Sequence, residues 1–301
     1  SANTTGINNV AVGSLAGDAN TTGSYNTVMG QNVLGVNTTG SENTAIGWDA
    51  LKANTTASFN VAVGTTALGL NTTGADNTAL GAYALDSNTT ASNNTAVGRS
   101  ALGLNTTGAS NVAVGMNCLD ANTTGTGNIG IGVSALGANT TAAEGTGVGD
   151  GCLAANTTGA LNSAFGAQTL AACTTGSSNV AIGGYALNDL TTGVENVAIG
   201  ALALDANTTA ANNVAVGVEA MTSNTTGTQN AAVGKAALAA NTEGNYNTAM
   251  GPYALNDNTT ADNNTGVGYE ALAKNTTGAE NVAVGQGALD ANTTAGNNTA
   301  V

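Results

Sequence analysis

The feature that most constrains the fold is an internal repeat of seventeen residues that tolerates no insertion. The stretch NTTGSENTAIGWDALKA (37–53) returns as NTTASFNVAVGTTALGL and again as NTTGADNTALGAYALDS, and the chain contains eighteen copies in all, in one register. A period that covers the whole chain outweighs the two globular domains that a length of 301 residues would otherwise suggest. We therefore expect a single repetitive domain, residues 1–301, cut from a longer array.

Repeat positions are numbered 1 to 17 from the Asn of NTTG, beginning at Asn3. Position 10 is apolar in every copy, position 15 is Leu or Met after Gly17, and position 11 is Gly from Gly13 to Gly285. Helices are disfavoured because Gly and the NTTG corner would break each repeat twice, and helical repeats need about thirty or more residues. The pattern predicts an all-β fold: a parallel β-solenoid with 17 residues and two short strands per coil, and about 18 coils.

Asn occupies position 7 in every copy except Gly145, and it dominates position 1. In an in-register stack, an Asn amide can hydrogen-bond to the same amide one coil along. Both columns are therefore expected to form structural ladders. The position 7 ladder begins with Asn9, Asn26, Asn43, Asn60 and Asn77.

Position 9 holds only small apolar residues: Ala in fourteen copies, Gly in three, and Val at Val28. Neighbouring strand residues point to opposite faces, so if position 10 faces the coil interior, position 9 faces outward. An outward position restricted to Ala and Gly indicates close packing against another chain, although small residues could also serve only to keep a corner flat. The inter-chain packing candidates are Ala11, Ala45, Ala62, Ala79, Ala113 and Ala198.

Charge and composition limit the partners. The chain carries 18 acidic and 4 basic residues, a net charge of −14, which disfavours nucleic acid and anionic lipid as ligands. No apolar run approaches the ~20 residues of a membrane-spanning helix, so we expect no membrane insertion by this segment. The three Cys residues stand where most copies have Ala or Asn, and we interpret them as buried substitutes.

The sequence offers no catalytic constellation. It contains no His, which excludes Ser-His-Asp triads and His-based metal sites. The acidic residues fall irregularly on turns, and the glycine-rich GTGVG segment (145–149) is followed by neither a helix nor a Lys. We expect no enzyme activity, no cofactor, and no catalytic, cofactor-binding or metal-binding residues.

Two polar features leave other functions open. Fifteen copies retain Asn-Thr-Thr, which matches the N-glycosylation sequon and makes Asn3, Asn20, Asn37 and Asn54 candidates, although corner geometry alone would also produce the motif. The Thr columns at positions 2 and 3 suggest ice binding as one alternative function, and the exposed aromatic residues suggest glycan binding as another. The aromatic residues are scattered along the sequence, which favours single exposed rings.

The segments NVAVGTTAL (60–68) and NTAIGWDAL (43–51) resemble the head repeat of YadA-like trimeric autotransporter adhesins, which has an S-V-A-I-G core. The chain also resembles NTTG-type repeat arrays in tail-fibre proteins of phages and bacteria. The resemblance covers the entire chain and implies a left-handed β-roll that trimerises, with the small Ala turned toward the partner chains. The adhesin coil is shorter, so the resemblance does not account for the extra NTTG corner.

These observations predict an extracellular structural fibre or shaft segment, located on a cell surface or in a virion tail fibre. Its partners would be further copies of itself, as a trimer by preference or as a filament, and a host-surface or glycan receptor would be bound at tips outside this segment. The alternative is a β-solenoid that binds ice or glycans through its own surface.

Overall fold

A computed structural model describes residues 2–301 of the chain. The described residues form short β-strands joined by turns, without a helix. They divide into two compact units, the first ending at Asp150 and the second comprising Gly151–Val301. Each unit is a parallel β-solenoid, so the predicted all-β class and the 17-residue coil are confirmed, while the assignment of residues 1–301 to a single domain stays a prediction.

Each coil contributes one strand, three residues long in every case but the last. The first unit contains β1 (Val10–Val12), β2 (Thr27–Met29), β3 (Thr44–Ile46), β4 (Val61–Val63), β5 (Thr78–Leu80), β6 (Thr95–Val97), β7 (Val112–Val114), β8 (Ile129–Ile131) and β9 (Thr146–Val148). The second contains β10 (Ser163–Phe165), β11 (Val180–Ile182), β12 (Val197–Ile199), β13 (Val214–Val216), β14 (Ala231–Val233), β15 (Thr248–Met250), β16 (Thr265–Val267), β17 (Val282–Val284) and β18 (Thr299–Ala300).

Within each unit, every strand pairs in parallel with the strand one coil along, and paired residues hold the same repeat position. In the first unit Thr44 lies opposite Val61, and Val61 lies opposite Thr78. In the second unit Val180 lies opposite Val197. Each side chain is therefore stacked on its counterpart in the next coil, which is why the repeat tolerates no insertion.

The turns are bonded from coil to coil as well. Thr38 N donates to Thr55 O at 2.8 Å, and Leu51 N donates to Ala67 O at 3.0 Å. The second strand predicted around position 15 is absent, and that prediction is wrong. Position 13 and position 15 have positive φ, 57° at Asp49 and 52° at Leu51, a left-handed conformation that interrupts a strand.

The Leu at position 15 illustrates how the coil balances strain against burial. A left-handed conformation costs a non-glycine residue roughly 1–2 kcal/mol. Leu51, Leu68 and Leu85 adopt it and are completely buried. Full burial of a Leu side chain contributes roughly 1.5–3 kcal/mol, enough to offset the strain.

The coil interior is narrow, and its residues compensate one another in size. Gly17 is smaller than the Leu that later coils have at position 15, and Val28 in the following coil is larger than the Ala or Gly that other coils have at position 9. The two residues are neighbours, since a Cβ on Gly17 would meet Val28 Cγ2 at 3.5 Å. Cys118 is larger than the usual Ala, and it faces Gly130, where a Cβ would lie 2.5 Å from its Sγ. Such paired changes preserve the packed volume.

We predict that Gly98→Ala strongly destabilises the first unit. Gly98 has a φ of 135°, and a Cβ there would lie 2.5 Å from the carbonyl oxygen of Gly115, so strain and a backbone clash add. We expect a loss of about 2 kcal/mol or more, seen as a lower midpoint of thermal unfolding. Gly137→Ala is the matched control, because position 16 is already Ala at Ala171 and Ala239. Equal effects of the two variants would contradict this account.

Candidate interaction surface

The outward-pointing residues of the strands form one surface, which we call the outer strand face and define as positions 8 and 10. Neighbouring strand residues alternate between the two sides, so both positions point away from the interior that position 9 faces. In β8, Ile129 and Ile131 are exposed and Gly130 is buried. In β17, Val282 and Val284 are exposed around the buried Ala283.

The outer strand face is apolar and carries no charge. Position 8 is mainly Val or Thr, and position 10 is a large apolar residue that is exposed or half-buried, with Met29 48% and Ile131 41% exposed. The position 10 residues of the first unit are Val12, Met29, Ile46, Val63, Leu80, Val97, Val114, Ile131 and Val148. Those of the second are Phe165, Ile182, Ile199, Val216, Val233, Met250, Val267, Val284 and Val301. Contiguous exposed apolar surface of this kind is typical of an interaction site.

The predicted orientation of the strand is therefore wrong, and the inter-chain role assigned to the small residues fails with it. Ala45, Ala62, Ala79, Ala113 and Ala198 are completely buried within their own chain, so they have no surface to offer a partner. Ala11 is exposed, but it lines a cavity of about 180 Å³ in the first coil and belongs to the same inward-facing position.

The small size of position 9 has an internal cause. The Leu at position 15 of one coil fills the space beside position 9 of the next: a Cβ on Gly266 would meet Leu255 Cγ at 3.3 Å. The close packing inferred from the sequence exists, but the partner is the chain itself. The Thr residues at position 8, which occur in eight coils and point to the same side as position 10, were the signal that could have identified the outer face.

The position 7 Asn residues form the expected ladder. Asn43 Nδ2 donates to Asn26 Oδ1 at 3.1 Å and to Ala57 O at 3.0 Å, and the backbone N of Asn43 donates to the same Asn26 Oδ1 at 3.0 Å. Equivalent bonds join Asn9 to Asn26 and Asn60 to Asn77. Each side chain thus satisfies a buried backbone N–H, which the strands leave without a partner.

The position 1 Asn residues form a second ladder, which conflicts with the predicted glycosylation. Asn37 Nδ2 donates to Asn20 Oδ1 at 2.9 Å and to Gly40 O at 2.9 Å. Asn37 and Asn54 are completely buried, and Asn20 is 6% exposed. A glycan on any of these three amides would displace the ladder, so the glycosylation prediction is wrong for them. For Asn3, which is exposed, it stays a prediction.

The two Thr columns of the NTT motif differ in their environment. At position 2 the hydroxyl bonds to the neighbouring coil, as when Thr38 Oγ1 donates to Thr55 O at 3.1 Å. At position 3 the residues, such as Thr39 and Thr56, are exposed. The motif therefore presents one open hydroxyl column and not a paired array.

The three Cys residues are buried thiols, and none of them forms a disulfide. Burial raises the pKa of Cys118 to about 12 and that of Cys173 to about 11, so both are neutral at ordinary pH. A neutral, buried thiol is a poor nucleophile, which fits the packing role inferred from the sequence.

Several half-buried carboxyl groups titrate abnormally. Desolvation raises the pKa of Asp86 and Asp120, and it raises that of Asp205 with help from the charge of Asp189. Burial alone would also raise the pKa of Asp49, but hydrogen bonds from Lys52 and Asn32, each at 2.8 Å, bring it below its usual value.

Comparison with known proteins adds no family to this description. No protein-family model matches the chain, and no curated protein sequence matches it either. Among residues 2–301, no group of three His, Cys, Asp or Glu side chains is placed to hold a metal ion. None of the residues that the structure describes belongs to a helix that could cross a lipid bilayer.

We predict that the two Asn ladders differ in their contribution to stability. Asn60→Ala removes the acceptor of the buried Asn77 N–H, a 3.0 Å bond, and should cost roughly 2–3 kcal/mol. Asn54→Ala should cost roughly 1–2 kcal/mol, because the carbonyl of Ala57 keeps its bond from Asn43. Thermal unfolding of both variants measures the difference. A larger loss for Asn54→Ala would contradict this ranking, which also explains why Cys173 and Leu190 are accepted at position 1.

We also predict that acidification stabilises the protein. The folded pKa values of Asp86, Asp120 and Asp205 lie above the usual 3.8, so their contribution is fully present below that pH and is lost as pH rises through the folded values. The lowered pKa of Asp49 acts in the opposite direction, but it is one group against three. The thermal midpoint should rise as the pH falls from neutral toward the usual Asp value of 3.8.

Replacing Asp86, Asp120 and Asp205 by Asn should flatten this pH dependence. The control removes the same number of charges at three exposed acids of position 6, through Glu42→Gln, Glu195→Gln and Glu280→Gln. An equal change of slope in both triple variants would assign the effect to net charge and not to desolvation.

Proposed function

We propose that this chain is a shaft segment of an extracellular fibre of the adhesin or tail-fibre kind, carried on a cell surface or a virion. Copies of the chain associate side by side through the outer strand face, and the assembly acts as a stiff spacer between its ends. A trimer is the favoured oligomer on the resemblance to adhesin heads, and a filament is the other form. A host-surface or glycan receptor would be bound outside this segment.

The observation that carries the proposal is the uncharged apolar outer strand face. All 18 acidic residues and all 4 basic residues lie at other repeat positions. Chains with a net charge of −14 repel one another, so they can associate closely only through a surface from which charge is excluded. The outer strand face meets this condition in every coil of both units.

Another copy of the same chain is the partner that this face fits best. The position 8 and position 10 columns repeat with the coil spacing, about 4.8 Å for parallel strands. A second copy in the same register has the same spacing by construction, so side chains stay matched along the whole face. An unrelated partner would have to reproduce that spacing. Closed cyclic association of identical chains is also the commonest form of oligomer.

Magnitudes explain why such an interface needs many coils. A half-exposed Val or Ile gains roughly 1 kcal/mol when the rest of its surface is covered. The nine strands of one unit then supply roughly 9 kcal/mol per chain. Association costs roughly 4–15 kcal/mol, so a few coils would not suffice, and about nine coils are needed to offset a cost in the middle of that range.

A mechanical role accounts for the ladders. Backbone bonds, Asn amides and the position 2 Thr hydroxyls all run from one coil to the next, so bending a unit would stretch several kinds of bond together. Stiffness of this kind suits a spacer. The proposal involves no enzymatic activity, no cofactor and no nucleic acid.

A second candidate function is ice binding by the isolated chain through the same face. Thr occupies position 8 in eight coils, beside an apolar residue at position 10 that points the same way, as in Thr44 and Ile46 of β3. A regular array of methyl and hydroxyl groups can order water. This use requires the face to stay open, so oligomerisation and ice binding are alternatives.

We predict that the wild-type chain forms a defined oligomer or filament that Ile131→Lys together with Ile199→Lys converts to monomer. Both side chains are on the outer strand face, 41% and 37% exposed, so the substitutions should leave each coil folded while placing charge in the interface. Light scattering coupled to size-exclusion chromatography gives the mass, and circular dichroism checks the fold.

The control adds the same two charges away from the face, with Thr107→Lys and Thr226→Lys at the exposed position 3. This variant should assemble like wild type. A wild-type mass of 28.7 kDa would refute the fibre proposal, and thermal hysteresis by that monomer would select ice binding instead.

A further inference from the structure

The second unit contains a surface patch where the sequence departs most strongly from its own repeat. Position 12 holds Lys235, Pro252 and Tyr269 in three successive coils, and position 13 holds Tyr253 and Glu270 in the last two of them. Pro252 is the only proline of the chain, and Lys235 is one of four basic residues. Position 12 accepts residues as different as Gly184, Arg99 and Trp48 in other coils, so coil geometry alone does not demand these side chains.

The patch has a fixed geometry. The rings of Tyr253 and Tyr269 are edge to face, with centroids 6.2 Å apart and planes at 85°. Lys235 Nζ lies 5.9 Å from the centroid of the Tyr253 ring. The backbone beneath is bonded coil to coil, with Tyr253 N donating to Lys235 O at 2.9 Å and Glu270 N to Pro252 O at 3.1 Å. The two aromatic rings are therefore presented on a rigid support.

A groove of about 250 Å³ opens beside this pair. Tyr253 lines it together with the polar side chains of Asn256, Asp257, Glu270, Lys274 and Asp290. Pockets for drug-sized ligands measure roughly 300–1,000 Å³, so this groove suits one or two small rings. It combines an aromatic wall with hydrogen-bond acceptors and one ammonium donor.

The electrostatics of the groove select among ligands. Three carboxylates, those of Asp257, Glu270 and Asp290, line the groove together with the single ammonium of Lys274. A hydrogen bond from Tyr269 to Glu270, together with the charge of that carboxylate, raises the pKa of the Tyr269 hydroxyl. An anionic ligand would meet net repulsion here, whereas hydroxyl and ammonium groups would find acceptors.

We propose that this groove is a saccharide-binding site for a neutral or amino sugar. A pyranose ring has an apolar C–H face and a rim of hydroxyl groups. The Tyr253 ring offers an apolar surface for that face, and the carboxylates and Asn256 accept or donate hydrogen bonds at the rim. A sugar also matches the size of the groove.

The site is independent of the proposed fibre. Its residues occupy positions 12, 13, 16 and 17, away from positions 8 and 10, so lateral packing through the outer strand face would leave it open. Binding along the side of a shaft is a property beyond a passive spacer. The aromatic residues appear scattered in the sequence, but the fold stacks Tyr253 and Tyr269 in adjacent coils.

The chain supplies matched controls. Tyr83 and Tyr185 occupy the same position 13 in other coils and are exposed. Among residues 2–301, only Tyr253 and Tyr269 form an aromatic pair, so these two controls lack the second ring, and neither lines the groove beside Tyr253. A Tyr that merely adheres to sugars would behave the same at all of these positions.

The test is saturation-transfer NMR on the full chain with three soluble probes. They are the trimer of N-acetylglucosamine, which is neutral, the trimer of glucosamine, which is cationic, and sialyllactose, which is anionic. We expect saturable binding of the neutral or the cationic probe and weaker binding of sialyllactose. Tyr253→Ala and Tyr269→Ala should each weaken binding roughly 3- to 10-fold, and Tyr83→Ala should leave it unchanged.

Three results would overturn the proposal: no saturable binding of any probe up to about 10 mM, preferential binding of sialyllactose, or equal losses for Tyr83→Ala and Tyr253→Ala. Thermal unfolding of each variant verifies that the fold survives, which is expected because these rings lie on turns and are at least partly exposed. Tyr269→Phe keeps the ring and removes the hydroxyl, so binding retained by Phe and lost by Ala would assign the effect to ring contact. These binding measurements do not depend on the mass of the assembly, so the saccharide site and the proposed fibre are tested separately.

Discussion

The structure depends on hydrogen bonding between equivalent residues of neighbouring coils. No coil has a helix or hairpin to satisfy its own backbone, so most of its N–H and C=O groups find partners in the coils on either side. This requirement fixes the spacing of every column. A single inserted residue would displace part of its own coil against the coils on either side, and a slip of one residue within a strand would turn apolar residues from the inside to the outside. The uninterrupted period of the sequence follows from this constraint.

Much of the fold was predictable for the same reason. In a stack with one register, a column in the sequence becomes a column in space, so the Asn residues at positions 1 and 7 had to form ladders once a parallel solenoid was inferred. The role of the glycine at position 11 was equally predictable, because its φ values of 122° to 143° exclude other residues. What the period did not reveal is local conformation. Leu51 suggested a strand by its apolar character, yet it adopts a left-handed turn because burial offsets the strain.

The direction of the strand could not be read from hydrophobicity alone. Because side chains alternate along a strand, either position 9 faces inward or positions 8 and 10 do. A rule that places the larger apolar residue inside selects positions 8 and 10, which is wrong here. The coil is so thin that Leu at position 15 fills it, and only Ala or Gly fits beside that Leu at position 9. The larger Val, Ile and Met residues of position 10 are therefore left outside. Volume, and not hydrophobicity, decides which face is inward in a solenoid of this width.

Whether a position faces the coil interior or the outside also separates the residues that maintain the structure from those that are available to a partner. Positions that bond or pack between coils are nearly fixed: Asn at 7, Gly at 11 and Ala at 14 serve the neighbouring coil and carry no message for a partner. The N-T-T motif belongs to this group, since its Asn amide and first Thr hydroxyl are both bonded within the coil stack. The side chains at outward positions are not required for packing between coils, and these positions divide into two kinds.

Positions 8 and 10 stay apolar or hydroxylated in every coil, as the proposed association of copies through the outer strand face requires. Positions 12 and 13 vary from coil to coil, and one exception stands out where Lys235, Pro252 and Tyr269 succeed one another. A regular face is suited to a regular partner, and a second copy of the chain is the most regular partner available. A local departure is suited to a small ligand, because only a few coils can contact it. A solenoid can thus carry assembly and recognition on different sides of the same coil, with neither restricting the other.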